Sequence, residues 1–264
     1  DLIPSAMIQS IEVNKTLTPD MEADAIGGSV NLITRSNPSG FRASATLAGG
    51  GQPVRENGFN SNFSFVVGNE VSDKFSYTLA GTVQTKDYGS DNIEFEWNDP
   101  ADWAEDGAIG EMDIRRYDVK RTRRSLSLNL DYNIDDNNQL FLKTIYNHRD
   151  DWENRFRLRV GSIDMEDMTA RIRKQTKGGI SDSNNKGTRL EDQRTQKYSI
   201  GGDHLLGDLK LDWKVSYSEA SEDRPDERYV RYEQRDVPFS SLNISNPERP
   251  VSYTHLTLPT TPYV

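Results

Sequence analysis

Asp1–Arg35 reads DLIPSAMIQSIEVNKTLTPDMEADAIGGSVNLITR, and it is the part of the chain that the sequence predicts to be a compact unit instead of a run of alternating strands. Ile11 and Val13 alternate with polar residues, which is typical of a half-buried strand. Thr18-Pro19-Asp20 then combines a capping oxygen, a proline φ suited to a first helical turn, and a carboxylate near the helix N-terminus. We therefore predict a strand and then one or two turns of helix, through Asp24.

A run of low bulk, Ala25-Ile26-Gly27-Gly28, follows the predicted helix. A backbone with so little side-chain volume bends easily and can approach a neighbouring strand closely. A second strand is predicted directly after it, from Ser29 to Thr34. On these residues alone, the stretch is a β-α-β unit of some larger domain.

Taken as a whole, the stretch resembles the end of the plug domain of TonB-dependent outer-membrane receptors. In that family a segment of the form IPSxxIxxIEVxK is followed by a short acidic helix and then by AIGGxVNLITR. The Met21–Asp24 segment resembles the branch of the family linked to carbohydrate uptake. The resemblance is tight over about the first 35 residues, and its matching positions are Ile3, Pro4, Ser5, Ile8, Ile11, Glu12, Val13, Lys15, Ala25, Ile26, Gly27, Gly28, Val30, Asn31, Leu32, Thr34 and Arg35.

The resemblance implies active uptake of a substrate across the bacterial outer membrane. The expected substrate is a carbohydrate, with a ferric siderophore as the second choice. The expected partners are TonB, reached through a segment upstream of Asp1, together with outer-membrane lipid and lipopolysaccharide. The family is not enzymatic, and neither a cofactor nor a metal is expected. A structural role in the plug is implied for Ile11, Val13, Ala25, Ile26, Gly27, Gly28 and Asn31.

Composition favours a sheet that faces lipid. The chain has 264 residues, of which 34% are hydrophobic, and its mean hydropathy is -0.79, so a soluble globule would have a thin core. A lipid-facing barrel needs apolar residues only at every second strand position. No run approaches the ~18 apolar residues of a transmembrane helix. With no cysteine there is no disulfide framework, and the net charge of -10 argues against a nucleic-acid partner.

From residue 41 onward, apolar and polar residues alternate in seven segments, each of which is predicted to be a strand. The fourth is the clearest, because Leu126, Leu128 and Leu130 alternate with serines and asparagine. The fifth is ambiguous, since Leu140–Leu142 are consecutive apolar residues. The predicted strands are Phe41–Ala48, Phe59–Val67, Phe75–Gln84, Arg124–Tyr132, Gln139–His148, Arg194–His204 and Leu209–Ser218.

Short and long connections between these strands alternate. The turns at 68–74, 133–138 and 205–208 are short, whereas 86–120, 149–191 and the region after 221 are predicted to be long polar loops. Outer-membrane barrels place short turns on one side and long loops on the other. Because plugged transporters of this kind have 22 strands, seven strands are predicted to be only the first part of a barrel.

The predicted fold class is therefore mainly β: an antiparallel up-and-down transmembrane barrel segment of about seven strands, preceded by the C-terminal part of an α+β plug. We assign residues 1–37 to the plug, 38–250 to barrel strands with long extracellular loops, and 251–264 to a tail. That tail contains no acid, lysine or arginine, and we interpret it as foreign to the native sequence. Asp1–Pro4 has no signal-peptide features, so the native start is expected to lie upstream.

Aromatic residues in the predicted loops are the candidate substrate-binding residues, namely Tyr88, Trp97, Trp103 and Trp152. Flat rings in polar surroundings are typical of binding surfaces and can stack on sugars. The alternative is that they form the aromatic belt at the membrane boundary or pack within the loops. Arginines clustered at 115–124 and 155–159 are interpreted as contacts to lipopolysaccharide phosphates, as lumen residues, or as ordinary loop ion pairs.

Enzymatic chemistry finds no support in the residue pattern. The three histidines, His148, His204 and His255, are not at metal-ligand spacing, and no nucleophile and base stand in matching positions. The main rival interpretation is a surface-exposed β-rich adhesin or binding module. In such a protein a second sheet would cover the alternating apolar face, whereas in a barrel that face meets lipid.

Overall fold

A computed structural model describes residues 7–16, 27–35, 37–54, 58–102, 108–179, 187–243 and 251–253. The predicted helix through Asp24 lies outside these residues, as do Ala25, Ile26 and Trp103. Within the described ranges the chain is mainly antiparallel β-structure, and no helix there is long and apolar enough to cross a membrane. The strands are β1 Ile8–Asn14, β2 Ser29–Thr34, β3 Arg42–Gln52, β4 Gly58–Ser72, β5 Phe75–Trp97, β6 Ile109–Asp135, β7 Asn138–Asp164, β8 Thr169–Gly178, β9 Arg189–Leu206, β10 Leu209–Asp223, β11 Arg228–Pro238, β12 Ser241–Asn243 and β13 Val251–Tyr253.

The first two strands are present as predicted, and they pair with each other as an antiparallel ribbon, with Val13 opposite Val30. Their side chains are more exposed than the alternation indicated, because Ile11 and Val13 keep 59% and 61% of their surface accessible. The expectation of a half-buried strand was therefore wrong for β1. A two-stranded ribbon without a covering layer buries its apolar side chains only where another element lies against them.

Gly28, which directly precedes β2, occupies a position that has no room for a side chain. Its φ is +120°, and a Cβ added there would lie 2.4 Å from the backbone oxygen of Asn14. Gly27 differs, since a Cβ at that position meets no described atom within 4 Å. The close approach predicted for the Gly-Gly pair is thus confirmed at Gly28 alone.

The chain divides into two compact units. The first unit is formed by Asp1–Tyr88, Lys120–Trp152 and Leu190–Pro225, and the second by Gly89–Val119, Glu153–Arg189 and Asp226–Val264.

The first unit contains a seven-stranded meander in the order β3-β4-β5-β6-β7-β9-β10. All seven predicted strands are present in it, and the three short turns fall at 73–74, 136–137 and 207–208, as predicted. The pairs β3–β4 and β9–β10 are antiparallel in continuous register, and β4–β5 is antiparallel with one register shift, between Glu70 and Ser72. In the described part of the chain the sheet is not closed, because β3 and β10 each have one hydrogen-bonded neighbour.

Where the structure describes the long loops predicted at 86–120 and 149–191 and after 221, most of their residues are in strands, so that prediction was wrong. β5, β6 and β7 continue into the second unit, where β8 pairs with both β7 and β11. Cross-strand ion pairs replace apolar pairs here: Arg173 lies opposite Glu233 in register, and its Nε donates to a Glu233 oxygen at 3.1 Å. A search for alternating apolar residues misses strands that are built in this way.

One face of the first unit's sheet, which we call the inner face, lies against the β1–β2 ribbon. Asn129 Nδ2 donates to Thr34 Oγ1 at 3.2 Å and to the backbone oxygen of Arg35 at 2.9 Å. Small polar residues are buried on this face and make up its central part: Ser64, Thr78, Thr82, Ser125, Ser127, Asn129 and Ser199.

The opposite, outer face exposes large apolar side chains. Leu126 and Ile200 are each 49% exposed, although both lie in the interior of the sheet. Apolar residues that lie opposite each other on neighbouring strands are also exposed, for example Phe63 at 43% and its partner Val83 at 48%. The sheet therefore buries hydroxyl groups and exposes leucine and phenylalanine, the reverse of the usual distribution in a soluble domain.

We expect Gly28→Ala to weaken the β1–β2 ribbon by about 1 kcal/mol or more, because alanine is strained at this φ and its methyl group collides with the Asn14 carbonyl. Gly27→Ala is the matched control and should change little. Hydrogen exchange of the ribbon's backbone amides measures the difference. Equal protection in the two variants would contradict this explanation of Gly28.

Candidate functional site

The inner face of the first unit carries a group of charged residues beyond its hydroxyl-rich part. We call Arg121, Arg123, Arg149, Asp151 and Glu191 the inner basic cluster. On β6 the two arginines occupy odd positions, as Ser125, Ser127 and Asn129 do, and alternate positions of a strand share one face. The cluster therefore continues the polar face that the ribbon covers.

Two of the three arginines in this cluster are paired with acids. Arg121 donates from Nε to Asp151 Oδ2 at 2.9 Å, and its Nη2 also contacts that carboxylate. Arg149 Nη2 donates to Glu191 Oε1 at 3.0 Å and lies 3.8 Å from Asp151 Oδ2. These pairs tie β6 to β7 and β7 to β9, and side-chain exposure is only 7% at Asp151 and 13% at Glu191.

Tyr88, one of the predicted substrate-binding residues, contacts this cluster. The guanidinium carbon of Arg121 lies 5.7 Å from the centre of the tyrosine ring, which is within the range of a cation–π contact. Tyr88 is therefore positioned beside charged groups that can bind a polar ligand.

A cavity of about 510 Å³ lies between the ribbon and the sheet of the first unit. Asn31 and Thr34 of β2 line it on one side. Lys143, Lys197 and Lys214 line it from the sheet, and among the described residues no acid contributes to the lining. Asn31, predicted to be structural, also donates to Glu12 at 3.4 Å across the ribbon.

The predicted tryptophans are divided between the units. Trp97 ends β5 in the second unit, is 42% exposed, and has its ring 6.0 Å from that of Phe95. Trp152 lies on β7 in the first unit and is half-buried. Trp103 lies outside the described residues. Among the described residues, Tyr88 is thus the predicted aromatic residue that contacts the inner basic cluster.

Sequence reasoning did not identify this cluster as one site, because its members come from three strands distant in the chain. Arg149, Asp151 and Glu191 lie within the stretch that was predicted to be a loop, where no face could be assigned. The available signal was that Arg121 and Arg123 directly precede the clear alternation of Arg124–Tyr132 and occupy the same odd positions as its buried polar residues.

His148 has carboxylate neighbours that the sequence spacing did not indicate. Its Nε2 lies 2.9 Å from Asp150 Oδ1 and 3.0 Å from Asp192 Oδ1. Each carboxylate is also paired with an arginine, Asp150 with Arg124 and Asp192 with Arg194. The group lies on β7 and β9 and is electrically balanced by these arginines.

In the second unit, three arginines surround one buried carboxylate. Asp113 is 2% exposed, and Arg159 donates to it from Nε at 2.7 Å and from Nη2 at 2.8 Å. Arg115 donates from Nε at 3.0 Å, and Arg157 Nη1 lies at 3.5 Å. Asp113 therefore links β6 with β7 and compensates the positive charges of the arginines around it.

The environment of Asp113 shifts its protonation. Burial acts to raise the pKa of Asp113, but the hydrogen bonds from Arg159 and Arg115 outweigh burial and hold the pKa below 3.8. Burial, together with the charge of Arg159, lowers the pKa of Arg157. Asp113 is thus ionised throughout the neutral range and acts as a structural counter-ion.

Compared with family models, with curated proteins and with solved structures, the chain matches none. Its function is therefore inferred from its own residues and geometry.

We expect Asp113→Asn to lower the free energy of unfolding by about 3–5 kcal/mol at neutral pH, since the arginines then lose their shared counter-ion. The contribution of Asp113 is complete above its unfolded pKa of 3.8 and is lost as the pH falls through the lower folded value. Denaturant titrations of the two proteins should therefore begin to approach each other below about pH 3.8 and converge only below the folded pKa. Asp118→Asn, on the same strand but facing a more exposed arginine, is the control and should cost about 1 kcal/mol or less. If Asp113→Asn still lowered the free energy of unfolding at a pH below the folded pKa of Asp113, that result would contradict the counter-ion role.

Proposed function

We propose that the chain is part of a TonB-dependent receptor of the bacterial outer membrane, in which the first unit's sheet belongs to a transmembrane barrel and the β1–β2 ribbon to the plug. The reversed distribution of side chains in that sheet carries the proposal. Apolar residues on the outer face would meet lipid, and the hydroxyl-rich inner face would surround the plug.

Strand length supports this proposal. A tilted strand crosses a bilayer in ~9–11 residues, whereas β5, β6 and β7 have 23, 27 and 27 residues. Only part of each strand is needed for the crossing. The charged remainder of each of these three strands would then meet water.

The inner face supports a transport role for the same protein. Serine, threonine and asparagine side chains, followed by charged groups and Tyr88, offer hydrogen bonds and an aromatic surface to a hydroxylated substrate. We propose a carbohydrate as that substrate, with a ferric siderophore as second choice. TonB would supply energy through an upstream segment, lipid and lipopolysaccharide would contact the outer face, and no enzymatic step is proposed.

An adhesin or binding module outside the membrane is the second candidate. In that case another layer of protein would cover the outer face. Across the described residues this face stays accessible, and Val215 and Tyr217 on β10 are 63% and 57% exposed. The accessible apolar surface favours the membrane proposal.

Lipid contact at Trp213 tests the membrane proposal directly. Trp213 lies on β10, paired with Gly202, and is 38% exposed. In vesicles whose acyl chains carry bromine, a variant that retains Trp213 alone should show strong fluorescence quenching. A variant that retains Trp97 alone is the control and should be quenched weakly. Equal weak quenching, or protein released from membranes without detergent, would favour the adhesin.

Aromatic stacking on sugars is tested by exchanging Trp97, Trp103 and Trp152 singly for alanine in the full receptor. If one of them stacks on the substrate, its loss should weaken binding about tenfold, equivalent to about 1.4 kcal/mol. Tyr217→Ala, which alters an aromatic residue on the outer face, is the control. Unchanged affinity and uptake in all three variants would remove the tryptophans from the substrate site.

A further inference from the structure

Positive charge is in excess in one part of the first unit's inner face, the inner basic cluster and the adjoining ribbon cavity, although the whole chain carries a net charge of -10. The inner basic cluster contains three arginines and two acids, and three lysines line the adjoining side of the ribbon cavity without an acid among the described lining residues. From this excess we infer that the inner face binds a ligand bearing oxyanion groups, carboxylate, sulfate or phosphate. The inference rests on the proposed function and specifies the substrate's chemistry.

Arg123 is the central residue of this inference. It lies on β6 between Arg121 and Ser125 on the inner face, and it is half-buried. Within the described part of the chain it forms neither an ion pair nor a hydrogen bond, and its Nε is buried without a partner. Arg121 and Arg149 supply the like charges nearest to it, while Asp151, which already accepts from Arg121, is beyond ion-pair distance.

A half-buried guanidinium beside two other arginines is costly, because it has lost water and faces repulsion without an acid paired to it. An oxyanion placed against Arg123 would remove this cost. Guanidinium groups bind carboxylate, sulfate and phosphate through two parallel N–H···O bonds. The site is therefore complementary to an anion and unfavourable to a cation.

The lysines extend the complementary surface. Lys143, Lys197 and Lys214 are on β7, β9 and β10, and Lys143 Nζ lies 5.0 Å from the Phe141 ring centre. None of the three forms an ion pair among the described residues. Several separate cations along one polar face suit a ligand that carries several anionic groups, such as an acidic oligosaccharide, better than a ligand with a single charge.

Arg124 provides a matched control one residue away. It faces the other side of β6, is 49% exposed, and pairs with Asp150 at 2.6 Å. Arg123→Gln and Arg124→Gln therefore remove the same charge from the same strand, but from opposite faces. Both variants should retain the Trp213 quenching of the parent protein if they fold and insert alike.

The experiment measures binding of trigalacturonate and of its methyl ester to the full receptor in detergent, with inorganic phosphate as a second probe. We expect the acid to bind at least tenfold more tightly than the uncharged ester, and its affinity to fall as sodium chloride is raised. Arg123→Gln should lose about tenfold of this affinity, and Arg124→Gln should retain it.

The outcomes separate the inference from the proposed function. If the receptor binds phosphate but not trigalacturonate, and Arg123→Gln abolishes the phosphate binding, the result supports an oxyanion site for a ligand with another scaffold. Equal affinity for acid and ester, no binding of any anionic probe, or equal effects of the two variants would overturn the inference. In each of those cases strong quenching of Trp213 would leave the membrane receptor proposal standing.

Discussion

The side-chain distribution in the first unit's sheet is the constraint on which the other features depend. Its inner face buries serine, threonine and asparagine against the β1–β2 ribbon, while leucine, phenylalanine and isoleucine stand exposed on the other face. Burial of apolar surface drives the folding of a soluble domain, and here much of that surface is left accessible. Such a sheet reaches a favourable state only when an apolar environment, lipid or protein, meets its outer face.

Polar interactions therefore provide much of the stability that an apolar core provides in a soluble domain. Asn129 connects the sheet with the ribbon, and Asp113 in the second unit gathers Arg115, Arg157 and Arg159. Buried charges are stable only when partners and hydrogen bonds compensate for lost hydration. Most of the arginines follow this rule. Arg123 departs from it, because its guanidinium has no ion-pair or hydrogen-bond partner among the described residues, whereas Arg121 and Arg149 beside it are paired with acids.

Prediction from sequence succeeded where alternation was apolar and failed where it was charged. Segments such as Arg124–Tyr132 have one apolar phase, so their strands and the short turns between them followed directly. The stretches 86–120 and 149–191 alternate charged and polar residues, which local patterns do not distinguish from loops. Their strand character depends on partners such as Glu233 opposite Arg173, which lie far away in the chain.

The sequence by itself determined the seven strands of the first unit and their tight turns, since period-two patterning and turn chemistry are local properties. Tertiary structure decided which polar residues meet. It placed Tyr88, Arg121, Asp151 and Glu191 together, gave His148 two carboxylate neighbours, and left Arg123 without an acid at ion-pair distance among the described residues. These arrangements follow from strand order and register, because pairing brings together side chains that are distant in the chain and that no local pattern relates.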